Sequence, residues 1–369
     1  MEITPKREHF IVNRATNTLF GYQGWPSVCI DERGVLYAVS SSFRCEHICP
    51  FGKTAMYMSF NQGKTWTPPI VVNDTYLDDR DAGIIYMGSG KLLVSWFCHP
   101  ADIYRNHYYG AITGSAQPME KGPSTGMLDS TYPLIPEGQR EGGSFVRMSH
   151  DYGVTWGETV KVPVSAPHGP SLMSDGSLLY FGKEMYNEPA AEITKGAIGA
   201  YRSTDGGYTW KYVSELRLPE GLTWGHFHEP HVIDLGGGRL LGAIRAQGSG
   251  VAHEFTIYTT VSDDNGLTWS GMRAVDVSGA PPHLLKHSSG KIIMAFGRRE
   301  YPCGERALVS SDNGETWDTE YILDENRPEN GDLGYPATAE LPDGSLYTVY
   351  YQKYGTDGKT SILGTHWEL

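Results

Sequence analysis

Short apolar runs alternate with turn-forming residues along the whole chain, and they do so as a repeat. Each unit opens with a small polar or proline-containing segment, passes through an apolar stretch into a glycine turn, and continues into a second apolar run. The clearest openings are Trp25-Pro26-Ser27-Val28, Arg80-Asp81-Ala82-Gly83, His168-Gly169-Pro170-Ser171, Glu229-Pro230-His231-Val232, Pro281-Pro282-His283-Leu284 and Tyr335-Pro336-Ala337-Thr338. The turns that follow, such as Ser174-Asp175-Gly176-Ser177 and Pro342-Asp343-Gly344-Ser345, are hairpin signals between strand-like runs. Openings recur at intervals of about 52 to 61 residues, with one longer exception.

A second motif, Ser-x-Asp/Asn-x-Gly-x-Thr-Trp, occurs at Ser59 to Trp66, Ser149 to Trp156, Ser203 to Trp210, Ser262 to Trp269 and Ser310 to Trp317. Its chemistry is that of a turn. The Asp or Asn accepts local backbone N–H bonds, the Gly takes positive φ, and the Trp leaves as a buried anchor. These octets are therefore expected to be structural. Six units of about four strands predict an all-β fold, a six-bladed β-propeller built as one domain over residues 1–369. A strand around His9 to Asn13 is expected to pair into the last blade, because closing the ring removes exposed strand edges. The long interval falls in the second unit, where an insertion between about His99 and Gly143 reads from its Gly, Pro and Tyr content as a long loop over the channel mouth.

Composition narrows the function. Gly (45), Pro (22) and Tyr (23) are abundant and suit short strands with tight turns, and the net charge of −13 carries no basic run. Nucleic acid and anionic membranes are thus disfavoured as partners. The N-terminus lacks the pattern of a signal peptide, which predicts a cytoplasmic protein, and the odd count of 5 Cys favours reduced thiols. Cys45, His47 and Cys49 alternate but make a poor zinc set, so neither a metal nor a cofactor is expected; the oligomeric state is open.

The innermost strand of each propeller blade is the one that opens the repeat. Trp25, Arg80, Asp81, His168, Glu229, His231, His283 and Tyr335 should therefore converge at one end of the channel. The octets and this layout resemble the sialidase-like superfamily of BNR, or Asp-box, propellers. Glu229 to Leu235, followed by Gly238-Arg239-Leu240-Leu241 and Arg245, is similar to the sialidase segment in which a catalytic Glu precedes a substrate-binding Arg. Arg306-Ala307-Leu308-Val309-Ser310 resembles the segment holding another carboxylate-binding Arg, and Gly334-Tyr335-Pro336 the one bearing a nucleophilic Tyr. The resemblance implies a glycosidase acting on a carbohydrate with a terminal acidic sugar. A carboxylate on the anomeric carbon would repel an Asp or Glu nucleophile, whereas a neutral Tyr deprotonated by Glu can attack.

The chain departs from that pattern in two places. Gly24-Trp25-Pro26 stands where sialidases supply the first Arg of a triad. Arg44 resembles the next Arg, but the Asp expected soon after it is replaced by Glu46-His47-Ile48-Cys49. Glu46, His47 and Asp81 are candidates for the acid/base, and Arg80 for the missing positive charge. His168, His231 and His283 leave open a His/Tyr-dependent lyase or glycosidase for uronate or rhamnose glycans, and a non-catalytic glycan-binding propeller is a third reading.

Overall fold

The structure, a computed structural model, describes residues 1–115, 118–186, 192–325 and 331–369, and leaves aside the side chains of 115 and 118–121. Among the described residues six sheets follow one another along the chain, five of four strands and one of five, and each is built on an antiparallel meander. The strands that open the sheets are Tyr22–Ile30, Arg80–Tyr86, Ser171–Leu172, Phe227–Gly236, His283–Lys286 and Gly334–Glu340. These inner strands pack against those of the neighbouring sheets and ring a central channel, which makes the chain a six-bladed β-propeller.

Blades stack because their middle strands are apolar on both faces. In Leu36–Arg44, the second strand of blade one, Tyr37 and Val39 face blade two and pack with Leu92, Val94 and Trp96. The intervening Leu36 and Ala38 face blade six and pack with Tyr347, Val349 and Tyr351. Period-two alternation thus serves two cores at once, so these strands read as continuous apolar runs rather than as a polar/apolar alternation.

Ring closure follows the expectation. Arg7–Asn13 pairs antiparallel with Thr360–Trp367 and supplies the outer strand of blade six. An unexpected addition lies upstream, where Glu2–Ile3 runs parallel to Glu320–Tyr321 on the outer strand of blade five.

Each octet begins at the last residue of a blade's third strand and turns the chain into the fourth. The Asp205 Oδ1 accepts hydrogen bonds from Ser203 Oγ, the Tyr208 N–H and the Thr209 N–H, at 2.8, 3.0 and 3.0 Å. Oδ2 accepts the Thr209 hydroxyl at 2.6 Å. The Ser203 hydroxyl also receives the Gly207 N–H at 2.9 Å, and the Trp210 indole N–H closes onto the Gly207 carbonyl at 3.0 Å. The turn needs two consecutive left-handed residues, met here by Gly206 and Gly207 with φ of 79° and 102°.

The insertion corrects one expectation. It leaves the second strand of blade two, Leu92–Cys98, and returns at Gly143–Ser149, but it is helical rather than a loop. Short helical segments run over Ala101–Ile103, Tyr104–Tyr108, Tyr109–Ser115, Pro118–Gly126 and Met127–Thr131, some of them with π-type geometry. Local propensity argues against helix in a stretch with several Gly and with Pro123 inside it. Tertiary anchors override that weakness: buried Tyr104, Ile112, Leu128 and Tyr132 join the core between blades one and two. Tyr104 donates to Asp78 at 2.5 Å and Tyr132 to the Pro50 carbonyl at 2.6 Å.

The octet geometry makes a prediction. Asp205→Ala removes four acceptor contacts from one turn and should cost about 1–2 kcal/mol of stability, read as a lowered thermal midpoint with glycan binding unchanged. A variant that melts like the wild type would contradict the structural role.

Candidate active site

One backbone device recurs at the channel mouth. Trp25, Asp81, Glu229 and Tyr335 all have positive φ, at 53°, 51°, 47° and 51°. In each case the pairing with the second strand slips at that point, between Gly24 and Ser27, Arg80 and Gly83, His228 and Pro230, and Gly334 and Ala337. These are bulges in the left-handed region, a conformation that costs a bulky residue of order 1–3 kcal/mol. The bulge breaks the in-and-out alternation of the inner strand and re-aims one side chain per blade. Gly169 occupies the matching place in blade three with φ of 75°.

In blade four the register pairs His228 with Arg245, so the bulged Glu229 turns its carboxylate toward that arginine. Arg245 Nη1 donates to Glu229 Oε2 at 2.5 Å and to the Tyr335 hydroxyl at 3.2 Å. The Tyr335 hydroxyl in turn donates to Glu229 Oε1. Gln247 accepts from Nε and Nη2 of Arg245 and fixes the plane of the guanidinium. Burial pushes the Glu229 carboxyl up, but Arg245 and the Tyr335 hydroxyl outweigh it and hold it below its ordinary value. Burial, and then the Glu229 charge, keep the Tyr335 hydroxyl well above its ordinary value. The resting state is an ionised Glu229 poised against a neutral phenol.

A second guanidinium flanks the same group. Arg299, just past the blade-five strand Ile292–Arg298, lies 5.7 Å from the Tyr335 ring centroid and 5.1 Å from that of Phe255; Arg245 lies 5.0 Å from Phe255. Sequence reasoning missed Arg299 and named Arg306 instead. The structure places Arg306 elsewhere. It is buried on the third strand of blade five, and its guanidinium faces Glu325 at 3.2 Å, Glu320 at 3.4 Å and the Asp324 carbonyl at 3.2 Å. Its carboxylate partners lie within its own blade, so it does not join Arg245 at the mouth.

Asp81 faces this group from blade two. Burial raises its carboxyl to about 7, with Arg80 opposing and the Glu229 charge adding to the rise. Two carboxyls in one mouth are thus held in different states, Glu229 ionised and Asp81 largely protonated below neutrality. Arg80 lies 4.2 Å from the Trp25 ring centroid and Arg44 4.7 Å. Arg44 is fully buried and is bound by Asp78, at 2.9 Å on one of the two contacts. It supports Trp25 from beneath and is not presented to the channel as a ligand-binding fork.

His168, His231 and His283 do come together, as a cluster of their own. The His231 and His283 rings stack at 4.5 Å between centroids, and His168 meets them edge-on at 5.5 and 4.8 Å. His231 Nδ1 accepts the Leu284 N–H at 2.9 Å and His283 Nδ1 the Thr338 N–H at 3.3 Å. Burial drives His231 down to about 3 and the other two well below their ordinary value. Three neutral rings, two of them backbone acceptors, line the channel; they are poor donors of a proton to a substrate. Among the described residues no group of His, Cys, Asp and Glu has the arrangement of a metal site.

The signature of the BNR repeat-like domain matches residues 121–349. The sialidase of Clostridium perfringens is 26% identical over 231 residues, covering 54% of this chain and 59% of the relative. That of Paraclostridium sordellii is 25% identical over 238 residues, covering 54% and 56%. The matches therefore span less than two thirds of either relative's length. Among solved structures, a protein of unknown function from Dyadobacter fermentans has a TM-score of 0.74 at 21% identity, covering 98% of both chains. The NanB sialidase of Streptococcus pneumoniae gives 0.68 at 16%, covering 97% of this chain and 70% of that one. The intramolecular trans-sialidase of Ruminococcus gnavus gives 0.65 at 15%, covering 98% and 96%. At such identities these structures speak for the fold alone. With five octets, six blades and a repeat signature over more than half its length, the chain belongs to the BNR repeat-like family of sialidase-like β-propellers.

Proposed function

We propose that this protein hydrolyses the bond to a terminal acidic sugar, with Tyr335 as nucleophile and Glu229 as its base. The observation that carries the reading is the closed triangle of Tyr335, Glu229 and Arg245 at the channel mouth. The phenol donates to Glu229, so the proton that must leave Tyr335 during attack already points at its acceptor. A phenol is also the sensible nucleophile for a sugar with a carboxylate on the anomeric carbon, since it carries no charge into the encounter.

Arg245 and Arg299, both against Phe255, supply two guanidinium forks for that carboxylate. The protonated Asp81 offers a hydrogen-bond donor to a sugar hydroxyl. The substrate is therefore a carbohydrate, and the names of the sialidase relatives agree with an acidic one.

On a fluorogenic sialoside, Tyr335→Phe and Glu229→Gln should each lower turnover by roughly a hundredfold or more. The double variant should be scarcely worse than either single, because the two residues act as one unit. Additive losses would separate them, and full activity in Tyr335→Phe would refute the mechanism. Arg245→Lys and Arg299→Lys should chiefly raise KM, since a point charge cannot reproduce the fork.

Asp81 yields a pH-dependent stability. The folded protein keeps its proton to about 7, while the unfolded chain releases it near the ordinary value of 3.8. Between those pH values the unfolded state gains by ionising, so wild-type stability falls as pH rises through the window. Asp81→Asn carries no such proton. Its melting temperature should gain on that of the wild type between about pH 4 and pH 7, and parallel curves would contradict a protonated Asp81.

A further inference from the structure

The loop after Leu36–Arg44 carries a second arrangement that the triangle does not use. Arg44, anchored by Asp78, donates through Nη2 to the carbonyls of His47 at 3.0 Å and Cys49 at 3.5 Å, and the Cys45 N–H reaches Cys49 Sγ at 3.5 Å. The loop is wrapped around a fixed buried cation, and that wrapping sets His47 at the rim of the mouth. The ring is then oriented from the opposite side. His47 Nδ1 lies 2.9 Å from Asp332 Oδ1 and 2.9 Å from the Tyr22 hydroxyl. Asp332 itself accepts from Tyr22 at 2.9 and 3.1 Å and from Tyr351 at 3.2 Å. A carboxylate held this way fixes the proton on Nδ1, and no hydrogen bond from the described residues reaches Nε2.

The imidazole stands edge-on to Trp25 with 5.1 Å between centroids, and Tyr335 meets the same indole edge-on at 6.4 Å. His47 and Tyr335 therefore both pack edge-on against the buried Trp25. Of the His47 side chain 46% is exposed, far more than of the three channel histidines. It lines a cavity of about 460 Å³ together with Glu46, Ile48, Ala111, Ile112 and Asp332. Ala111 and Ile112 come from the inserted helix Tyr109–Ser115.

We infer that His47, oriented by Asp332, is the general acid and base for the leaving group, and that the cavity beside the inserted helix receives that group. The inference rests on the Tyr335 reading above. In the first step the Tyr335 oxygen bonds to the anomeric carbon as its proton passes to Glu229. The glycosidic C–O bond breaks, its electron pair stays on the leaving oxygen, and that oxygen takes the proton from Nε2 of the His47 imidazolium. The neutral alcohol departs and His47 is left neutral. In the second step water attacks the anomeric carbon and gives a proton to His47 Nε2, while the bond to Tyr335 breaks and the phenolate recovers its proton from Glu229.

The half-apolar cavity suits a neutral aglycone with a C–H face. Titration of His47 answers to Asp332 beside Nδ1 and to Arg80 and Arg44; Tyr22 also faces Nδ1, and Glu46 lines the same cavity. Burial holds the ring below its ordinary value, with Asp332 pulling it back up. The acid form is thus lost as pH rises toward neutrality.

The test compares two substrates of one sugar, 4-methylumbelliferyl α-N-acetylneuraminide, whose leaving group needs little protonation, and 3′-sialyllactose, whose leaving group needs it. His47→Gln should lower kcat/KM on sialyllactose by about a hundredfold or more and on the umbelliferyl substrate by less than about tenfold. It should also erase the fall in kcat/KM on sialyllactose as pH rises. In His47→Ala, azide should restore kcat on the umbelliferyl substrate, because azide attacks without a base. Asp332→Asn should show the same selectivity, more weakly, with a displaced pH profile. Equal losses on both substrates in a folded His47→Gln, while Tyr335→Phe is inactive on both, would overturn the role of His47 and leave Tyr335 standing. Activity retained in Tyr335→Phe, or none in the wild type on either substrate, would overturn the underlying reading and this inference with it.

Discussion

The left-handed bulge at the opening of the inner strands is the constraint on which the rest of the mouth depends. A regular strand would send alternate side chains into the two inter-blade cores, leaving none aimed along the channel axis. Setting Trp25, Asp81, Glu229 and Tyr335 at positive φ lifts one side chain out of each of four blades. Three of the four are followed by proline, Pro26, Pro230 and Pro336, which itself disfavours the helical region in the residue before it. The strain persists because the ring over-determines it, with each inner strand clamped by its neighbours and by the second strand of its own blade.

From that geometry the electrostatics follow. Glu229 and Asp81 are both buried carboxyls, yet Glu229 has Arg245 and the Tyr335 hydroxyl within hydrogen-bonding reach and Asp81 has neither. One is held charged and the other raised toward neutrality, a division of labour set by partners rather than by residue type. Trp25 stands at the centre of this part of the mouth as a buried aromatic plane that Arg44 and Arg80 both approach. The cations are still present in this part of the mouth, but they serve to hold Trp25, Asp78 and the His47 loop.

Much of this was legible in the chain because it is local. The octets spell a turn within eight residues, and the repeat openings spell the blades, so the fold and the convergence of Glu229 and Tyr335 could be read from periodicity, while Arg245 was implied only by the resemblance to sialidases. What escaped is non-local. Arg299 follows a strand and sits in no repeated motif, whereas Arg306 precedes an octet and so drew attention that its buried contacts with Glu320 and Glu325 do not support. The insertion was misread because its Gly and Pro content describes local preference, while Tyr104 and Tyr132 fold it through contacts with blade one. The bulges could not be read either, since Trp, Glu and Tyr have no intrinsic preference for positive φ, and a single Asp does not mark one.

The central claim, that Tyr335 attacks the anomeric carbon, is most directly tested by trapping the covalent intermediate. A fluorinated acidic sugar with a good anomeric leaving group destabilises the cationic transition states and slows release of the intermediate, so intact-protein mass spectrometry can catch it. The account predicts one adduct per chain, carried by the peptide that contains Tyr335 and absent from Tyr335→Phe. An adduct on Asp81 or Glu229, or inactivation that persists in Tyr335→Phe, would contradict it.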